Sequence, residues 1–183
     1  GFKDNAEIIF STGKGLNEQV VRTISKEKNE PQWMLDYRLK ALDAYYNAKK
    51  VNWGPDLSGL DFDDITYYQK ATNKPARSWD DVPEEIKNTF ERLGIPEAER
   101  AYLAGAAVQY ESEAVYHNLK AEFDKLGILF TDTDTALKEY PEIFKEHFGT
   151  VVPPTDNFIA GLNGAVWSGG TFIYVPKGVK CDI

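Results

Sequence analysis

Apolar residues recur at the spacing of an amphipathic helix in the first part of the chain. The stripe Leu16, Val20, Val21 and Ile24 predicts a first helix over about residues 16–28. Pro31 is placed to open a second helix at its first position. The stripe of that helix is Met34, Tyr37, Ala41, Leu42 and Tyr45. We predict that the two stripes pack together and that the basic residues of the pair face outward: Arg22, Lys26, Lys28, Arg38 and Lys40.

The helical period is lost between residues 49 and 80. Aromatic residues are dense there, so we predict an ordered loop rather than a linker. A helix entry follows at Asp81-Val82-Pro83, with Gly94 as the stop, and a further helix is predicted from Pro96 to about Leu103. Mostly apolar residues occupy alternate positions over 106–117, which favours a strand, although the polar positions between them could also solvate a helix face.

Short elements are predicted from residue 119 to residue 149. A helix is closed by Gly127, and residues 128–130 form a short buried strand. Residues 131–139 begin another helical turn. Pro141 restarts a helix that Gly149 ends.

The pattern of residues along the sequence changes at Val151-Val152-Pro153-Pro154. Asp156 is predicted to cap a helix, which turns at Gly169-Gly170 into a strand over residues 171–175. The patterns together predict an α+β chain with a boundary near residue 150. Its parts are an extended arm over 1–14, a mainly helical domain over 15–150, and a helix with a first strand over 151–183.

Composition and charge narrow the class of protein. The chain has 183 residues, of which 42% are hydrophobic, enough for a sizeable core. The net charge of −8 repels a phosphate backbone and argues against nucleic acid as a partner. No run of about 18 apolar residues and no signal-peptide pattern is present, which predicts a soluble, unexported protein. Because the chain starts at Gly1 and stops directly after a strand-like run, we expect it to be a fragment.

Residue types that carry metal or redox chemistry are sparse. Zinc and iron–sulfur sites need closely spaced thiolates or imidazoles, whereas His117, His147 and Cys181 lie far apart in the sequence. A single cysteine also excludes an internal disulfide. The acidic run Asp61, Asp63 and Asp64 lacks the glycine and the closing glutamate of a calcium loop, so we interpret it as a solvated turn that caps backbone amides.

Patterns for catalysis and phosphate binding are incomplete. Gly13-Lys14-Gly15 lacks the glycine spacing of a phosphate loop, and Ser168 lacks the flanking glycine of a nucleophile elbow. The aromatic residues could suggest a stacking platform, but at helical spacing we interpret them as core packing or a protein interface. They are Tyr45, Tyr46, Tyr67, Tyr68, Trp33, Trp53, Trp79 and Trp167. No catalytic, cofactor-binding or metal-binding residue is predicted.

Several blocks, in one order along nearly the whole chain, carry a resemblance to a known family. They are Gly15–Glu18, Arg22–Lys26, Glu30–Leu35, Trp53–Ser58, Leu60–Ile65, Asn157–Asn163 and Gly170–Val179. By these blocks the chain resembles the SufB-type iron–sulfur cluster assembly proteins of the SufB/SufD family. The last block is also similar to SufD, whereas the early blocks, especially Glu30-Pro31-Gln32-Trp33-Met34, favour SufB.

The resemblance implies a helical N-terminal domain that leads into the first strands of a right-handed parallel β-helix. It implies a scaffold of the SUF complex, which receives sulfur and assembles iron–sulfur clusters for transfer to apoproteins, rather than an enzyme. The implied partners are SufD, the SufC ATPase and a cysteine desulfurase with its sulfur-transfer partner, in the cytoplasm or in the plastid stroma of a plant or alga.

The family's functional cysteine is expected beyond Ile183, and Cys181 is not matched to it, so no cluster is expected on this chain alone. The alternative interpretation is the start of an unrelated β-helix enzyme such as a polysaccharide lyase, with catalytic residues converging on a groove. The continuation of the chain distinguishes the two, because cluster scaffolding requires further cysteines and a lyase requires none.

Overall fold

The computed structural model describes residues 8–49, 51, 53–70, 84–92, 105–110, 113–119 and 121–181. The chain divides into two compact units. The helical unit comprises Ser11–Tyr68 and Ala136–Ser168, and the strand unit comprises Gly1–Phe10, Gln69–Thr135 and Gly169–Ile183. The boundaries predicted after residues 14 and 150 both fall inside segments of the helical unit.

The first helix, α1, comprises Glu18–Glu27 and is capped at both ends. The side chain of Asn17 accepts a hydrogen bond from the backbone N–H of Val20 at 2.9 Å, which satisfies one of the free amides at the helix start. Beyond the other end Asn29 adopts a left-handed φ of 50°, and the N–H of Glu30 donates to the carbonyl of Ser25 at 3.0 Å. The predicted first helix is confirmed, and this turn leads the chain directly into the second.

The second helix, α2, comprises Gln32–Asn47, with Pro31 as its cap rather than its first residue. Most positions of the two predicted stripes are buried. Met34 and Ala41 are fully buried on α2, and Val21 and Ile24 are fully buried on α1. The prediction of a packed helix pair is therefore confirmed.

The prediction that all basic residues of the pair face outward is wrong for Lys28 and Arg38. Lys28 is 5% exposed and Arg38 is 0% exposed. Lys28 lies one helical turn after Ile24, and Arg38 lies one turn after Met34, so both belong to the buried side by position. Each cation faces an aromatic ring, Lys28 at 5.8 Å from the centroid of Tyr68 and Arg38 at 4.7 Å from that of Trp167.

A helix from the second segment of the helical unit, Phe158–Val166, packs closely on α2. A Cβ atom added to Gly161 would lie 2.8 Å from the backbone nitrogen of Tyr45, and one added to Gly164 would lie 2.9 Å from the Cβ of Ala41. These distances are too short for real side-chain contacts, so glycine is what allows the two backbones to approach.

The cap of this last helix differs by one residue from the prediction. Asn157, not Asp156, is the N-cap, and its side-chain oxygen accepts hydrogen bonds from the N–H groups of Ile159 and Ala160 at 3.0 Å. Asp156 instead accepts from the side-chain amide of Asn157 at 2.7 Å. Both residue types can cap a helix, so composition alone left the choice between neighbours open.

Aromatic side chains fill the core of the helical unit beside a short helix, Pro141–His147, which confirms the predicted restart at Pro141. Phe144 is 2% exposed and stacks on Phe148 with centroids 4.8 Å apart. The ring of Trp167 also lies 4.8 Å from that of Phe148, and Tyr37 of α2 meets Phe148 edge-on at 5.2 Å. Such pairs add stability beyond the area they bury.

Within the strand unit, two of the predicted short strands pair with each other. The strands Leu129–Asp132 and Thr171–Tyr174 are antiparallel, with Leu129 opposite Tyr174. The helix Ala121–Lys125 precedes the first of them, and Gly127 has the left-handed φ of 69° expected of a helix stop. Both strands and this helix are confirmed, with ends shifted by one or two residues. The next predicted helical turn is the helix Thr133–Glu139, which spans the division between the units.

The alternating segment forms an antiparallel pair of strands, Gly105–Tyr110 and Glu113–Leu119, with a bulge at Val108/Gln109. The strand interpretation is therefore confirmed over the helical one, but the single strand predicted over 106–117 is divided into two paired strands. The strands Phe10–Ser11 and Gln69–Lys70 make a third two-stranded sheet. The parallel β-helix implied by the resemblance stays a prediction.

Other predicted features fall where the structure gives no description. The helix Glu84–Arg92 follows the predicted entry, but the entry at residues 81–83, the stop at Gly94, the helix over 96–103 and residues 1–7 of the arm lie outside the described residues. So does the stretch 71–80 of the predicted loop. No helix in the described part of the chain is both long enough and apolar enough to cross a membrane.

Candidate functional site

The three residues with metal-ligand potential take separate places in the fold. His117 lies in the strand Glu113–Leu119, His147 is exposed at the end of the helix Pro141–His147, and Cys181 is exposed. Over the residues that the structure describes, no group of three His, Cys, Asp or Glu side chains is arranged to hold a metal ion.

The acidic run forms a turn with its own hydrogen bonds. Residues Phe62–Asp64 are a short 3-10 helix, and the Asp61 side chain accepts from the N–H of Asp63 at 3.0 Å. Asp64 forms an ion pair with Lys14, and both side chains are more than half exposed. This geometry agrees with the interpretation as a solvated, capping turn.

The Gly13-Lys14-Gly15 loop and Ser168 both make hydrogen bonds to backbone carbonyls. In the Gly13-Lys14-Gly15 loop both glycines have φ near +80°, at 77° and 84°, and the N–H of Gly15 donates to the carbonyl of Ile65 at 2.9 Å. That amide is therefore not available to a phosphate. The hydroxyl of Ser168 donates to the carbonyl of Val166 at 3.3 Å.

Among the residues that the structure describes, Arg38 and Glu30 form a fully buried ion pair, with both side chains 0% exposed. Arg38 Nε donates to one oxygen of Glu30 at 2.7 Å, and Nη2 donates to the other at 2.6 Å. Nη1 donates to the carbonyl of Ala165 at 3.0 Å, and the guanidinium faces the Trp167 ring. The planar fork of arginine matches this arrangement and lysine cannot reproduce it.

This buried cluster joins the turn before α2 to α2 itself and to the helix Phe158–Val166. Sequence reasoning missed it because arginine is usually solvated. The available signal was the position of Arg38, one turn after Met34 and one turn before Leu42 on the apolar stripe. The described polar contacts of the guanidinium, to Glu30 and to the carbonyl of Ala165, tie these segments together.

A surface groove with a volume of about 460 Å³ lies elsewhere on the helical unit. It is lined by Val51, residues 53–58, Phe62 and Phe158, and we call it the Trp53 groove. Trp53 at its side is 64% exposed, whereas Phe158 is 4% exposed and meets the Phe62 ring at 5.9 Å. An apolar cavity wall beside an exposed indole is suited to binding.

Polar groups of the Trp53 groove come from the turn after Pro55. Asp56 accepts a hydrogen bond from the N–H of Ser58 at 2.9 Å. The backbone and side-chain hydrogen bonds from Ser58 hold the pKa of the Asp56 carboxyl below its usual value, so the group is an anion at neutral pH. The groove thus combines aromatic walls with a fixed negative charge.

Tyrosines lie next to this groove. The ring of Tyr45 stacks with Phe158 at 6.3 Å and lies 5.5 Å from that of Tyr46. Burial, reinforced by neighbouring Tyr45, Asp63 and Asp61, raises the pKa of Tyr67 to about 12. Its hydroxyl donates to the carbonyl of Phe62 at 2.8 Å.

The predicted aromatic set therefore divides into core and surface. Trp167 and Tyr68 are buried, Trp33 lies 6.4 Å from Phe144, and Trp53 and Tyr46 are exposed. Trp79 lies outside the described residues. Core packing is therefore confirmed for Trp167 and Tyr68, and a protein interface at the exposed rings stays a prediction.

Comparison with known proteins finds a family model and several relatives that agree with one another. Residues 107–183 match the model of the SufBD protein N-terminal region. The chain is 59% identical over 182 residues to the iron–sulfur cluster assembly protein SufB of Bacillus subtilis. It is 60% identical over 182 residues to iron–sulfur cluster assembly SufBD family proteins of Staphylococcus haemolyticus and Staphylococcus epidermidis.

These alignments cover 100% of this chain and 39% of each relative, so the chain spans about two fifths of their length. The identity extends through the helical unit, which the matched family region at residues 107–183 only partly includes. On this similarity, the chain belongs to the SufB/SufD family.

Proposed function

We propose that this chain supplies the N-terminal part of a scaffold on which iron–sulfur clusters are assembled for transfer to apoproteins. The observation that carries the proposal is the 59% identity, across the whole chain, to a protein named for iron–sulfur cluster assembly. In this proposal the cluster is cargo of the scaffold, and the chain is an assembly component rather than an enzyme.

Cluster and sulfur ligands are proposed to lie outside these 183 residues. A cluster is held by several thiolates or imidazoles, whereas this sequence has 1 cysteine and 2 histidines. The helical unit, with its buried Arg38 and Glu30, would then act as a stable platform next to the cluster-forming part.

The partners of the scaffold, its location in the cell and the fold that follows the last strand are part of the same proposal. The partners would be SufD, the SufC ATPase and a cysteine desulfurase with its sulfur-transfer partner, in the cytoplasm or a plastid stroma. The strand Thr171–Tyr174 would begin a right-handed parallel β-helix. Exposed apolar side chains on and after this strand, Ile173 at 62% and Val175 at 42%, support a further packing layer.

The test replaces the 182 matched residues of Bacillus subtilis SufB by this chain, in a strain whose own SufB can be depleted. We expect the chimaera to restore the activity of iron–sulfur enzymes to at least about half the level given by intact SufB. The reason is that a scaffold segment of this identity keeps its packing surfaces.

The matched control is SufB from which the same residues are deleted, which we expect to restore nothing. A chimaera that accumulates to the normal level and still leaves iron–sulfur enzymes inactive would contradict the proposal. Immunoblotting of the chimaera separates that result from simple loss of the protein.

A further inference from the structure

The Trp53 groove has features that the packing of the helical unit does not require. Trp53 is 64% exposed and Leu60 is 52% exposed on the same loop. By contrast, Trp167 is 9% exposed within the aromatic core. A large indole left in water beside a concave apolar wall costs hydration free energy, which a bound partner recovers.

The charges around the groove are predominantly negative. Asp56 lines it, and Asp61 and Asp63 flank Phe62, which also lines it. All three aspartates are exposed, and within the described part of the chain none of them forms an ion pair with lysine or arginine. The described basic residue closest in sequence to the groove is the exposed Lys49. Of the described residues that line the groove itself, the charged one is Asp56, an anion.

We infer that the Trp53 groove binds an extended segment of a partner protein in which arginine or lysine alternates with apolar side chains. The apolar side chains contact Phe62 and the Trp53 ring, and the cations lie against the carboxylates of Asp56 and its acidic neighbours. This inference does not depend on the proposed role in cluster assembly.

Charge complementarity selects this occupant over the alternatives. A second copy of the chain, with a net charge of −8, would bring its own acidic surface against this one, which is unfavourable. The fixed Asp56 anion also opposes an acidic peptide. An arginine is the side chain that serves both features of the groove, because its guanidinium stacks on an indole and pairs with a carboxylate.

The test measures binding of a fluorescently labelled peptide of alternating arginine and leucine to the full 183-residue chain. We expect saturable binding that weakens with added salt. We expect Trp53→Ala and Asp56→Asn each to raise the Kd about tenfold, the size typical of losing an interface anchor. Amide chemical shifts should change at Trp53, at Gly54, at residues 56–58 and at Phe62.

Two control variants remove a similar group elsewhere on the helical unit. Asp36→Asn removes an exposed charge nine residues, or about 13 Å, along α2 from Tyr45. Val151→Ala shortens an apolar side chain that is 93% exposed. Both should leave the Kd within about twofold. Equal loss of binding in Asp36→Asn and Asp56→Asn, no loss in Trp53→Ala, or equally tight binding of a glutamate–leucine peptide would overturn the inference.

Discussion

Arg38 and Glu30 form a two-pronged ion pair from which solvent is completely excluded, with nitrogen–oxygen distances of 2.7 and 2.6 Å. The same guanidinium holds the carbonyl of Ala165, 127 residues further along the chain. A buried ion pair adds little net stability over an apolar replacement. Removing one partner, however, strongly destabilises the folded state, because the other charge is left buried and unpaired. The hydrogen bond to Ala165 also ties α2 to the helix Phe158–Val166.

Breaking this ion pair should strongly destabilise the helical unit. We expect Arg38→Ala to lower the free energy of unfolding by about 3–5 kcal/mol, because the Glu30 carboxylate is left buried and unpaired. Arg22→Ala, which removes an exposed pair with Glu18 one turn earlier, should cost about 0.5 kcal/mol or less. Urea denaturation followed by circular dichroism checks both, and similar midpoints for the two variants would show that Arg38 is not enclosed.

The packed stripe of the helix pair can be tested in the same way. Met34 is 0% exposed, so Met34→Ala should cost about 2–5 kcal/mol through lost burial and a partly unfilled cavity. Lys26→Ala, at an exposed position of α1, should change stability by less than about 0.5 kcal/mol. Chemical denaturation separates these values, and equal midpoints would refute the packing of the pair.

The close approach of the two helix backbones predicts that adding a side chain at Gly161 destabilises the protein. The methyl group of Gly161→Ala would meet the backbone nitrogen of Tyr45 at 2.8 Å, and backbone cannot move aside as a flexible side chain can. We expect a loss of about 1–3 kcal/mol from overpacking. Gly59→Ala, whose new methyl meets nothing within 4 Å, should be neutral or slightly stabilising. A thermal unfolding temperature for Gly161→Ala at or above that of Gly59→Ala would contradict the observed contact.

The raised pKa of Tyr67 predicts that the stability of the folded state falls at alkaline pH. Its folded-state pKa is about 12 and its ordinary value is 10.0, so the folded state favours the neutral phenol. This contribution to stability is fully present below pH 10 and is lost as the pH rises to about 12. The difference in tyrosinate absorbance between the wild type and Tyr67→Phe should titrate with a midpoint near pH 12. A midpoint near 10 would mean that neither burial nor the neighbouring carboxylates act on this phenol.

Cluster reconstitution gives a prediction about the chain as a whole. Incubated with iron and sulfide, the chain should yield no cluster that survives desalting, because 1 cysteine cannot supply the several soft ligands required. Visible charge-transfer absorbance is the measurement. A cluster that persists in the wild type and disappears in Cys181→Ala would place a cluster ligand within this chain and refute the proposed location of the ligands.

The periodicity of apolar residues predicted the helices and strands of this fold better than it predicted which charged residues are buried. The stripes on α1 and α2 led to correct helices, because burial of one face fixes the period. The alternation before His117 led correctly to strand rather than helix. The buried Arg38 was not predicted, because its partner Glu30 lies in a turn and Ala165 is distant in sequence. Pairing across such separations is decided by tertiary packing, which a local pattern does not encode.

The Trp53 groove could not be predicted from local sequence patterns either. The sequence shows a dense aromatic loop, but it does not show which ring is covered by Phe158 and which remains in water. The groove is lined both by residues 53–58 and by Phe158 of the helix Phe158–Val166, which lie far apart in the sequence. The candidate site is therefore a product of the assembled fold.

The helical unit is built from two stretches of sequence separated by residues 69–135. During synthesis, α2 leaves the ribosome long before the helix Phe158–Val166 that covers it. At about 5–20 residues per second, the delay is on the order of ten seconds. Throughout that time Ala41 and Arg38 lack their contacts with Ala165. Until translation has passed residue 168, α2 of the nascent chain can pack on α1 but not on the helix Phe158–Val166, so the α2 face that this helix covers is open to a chaperone.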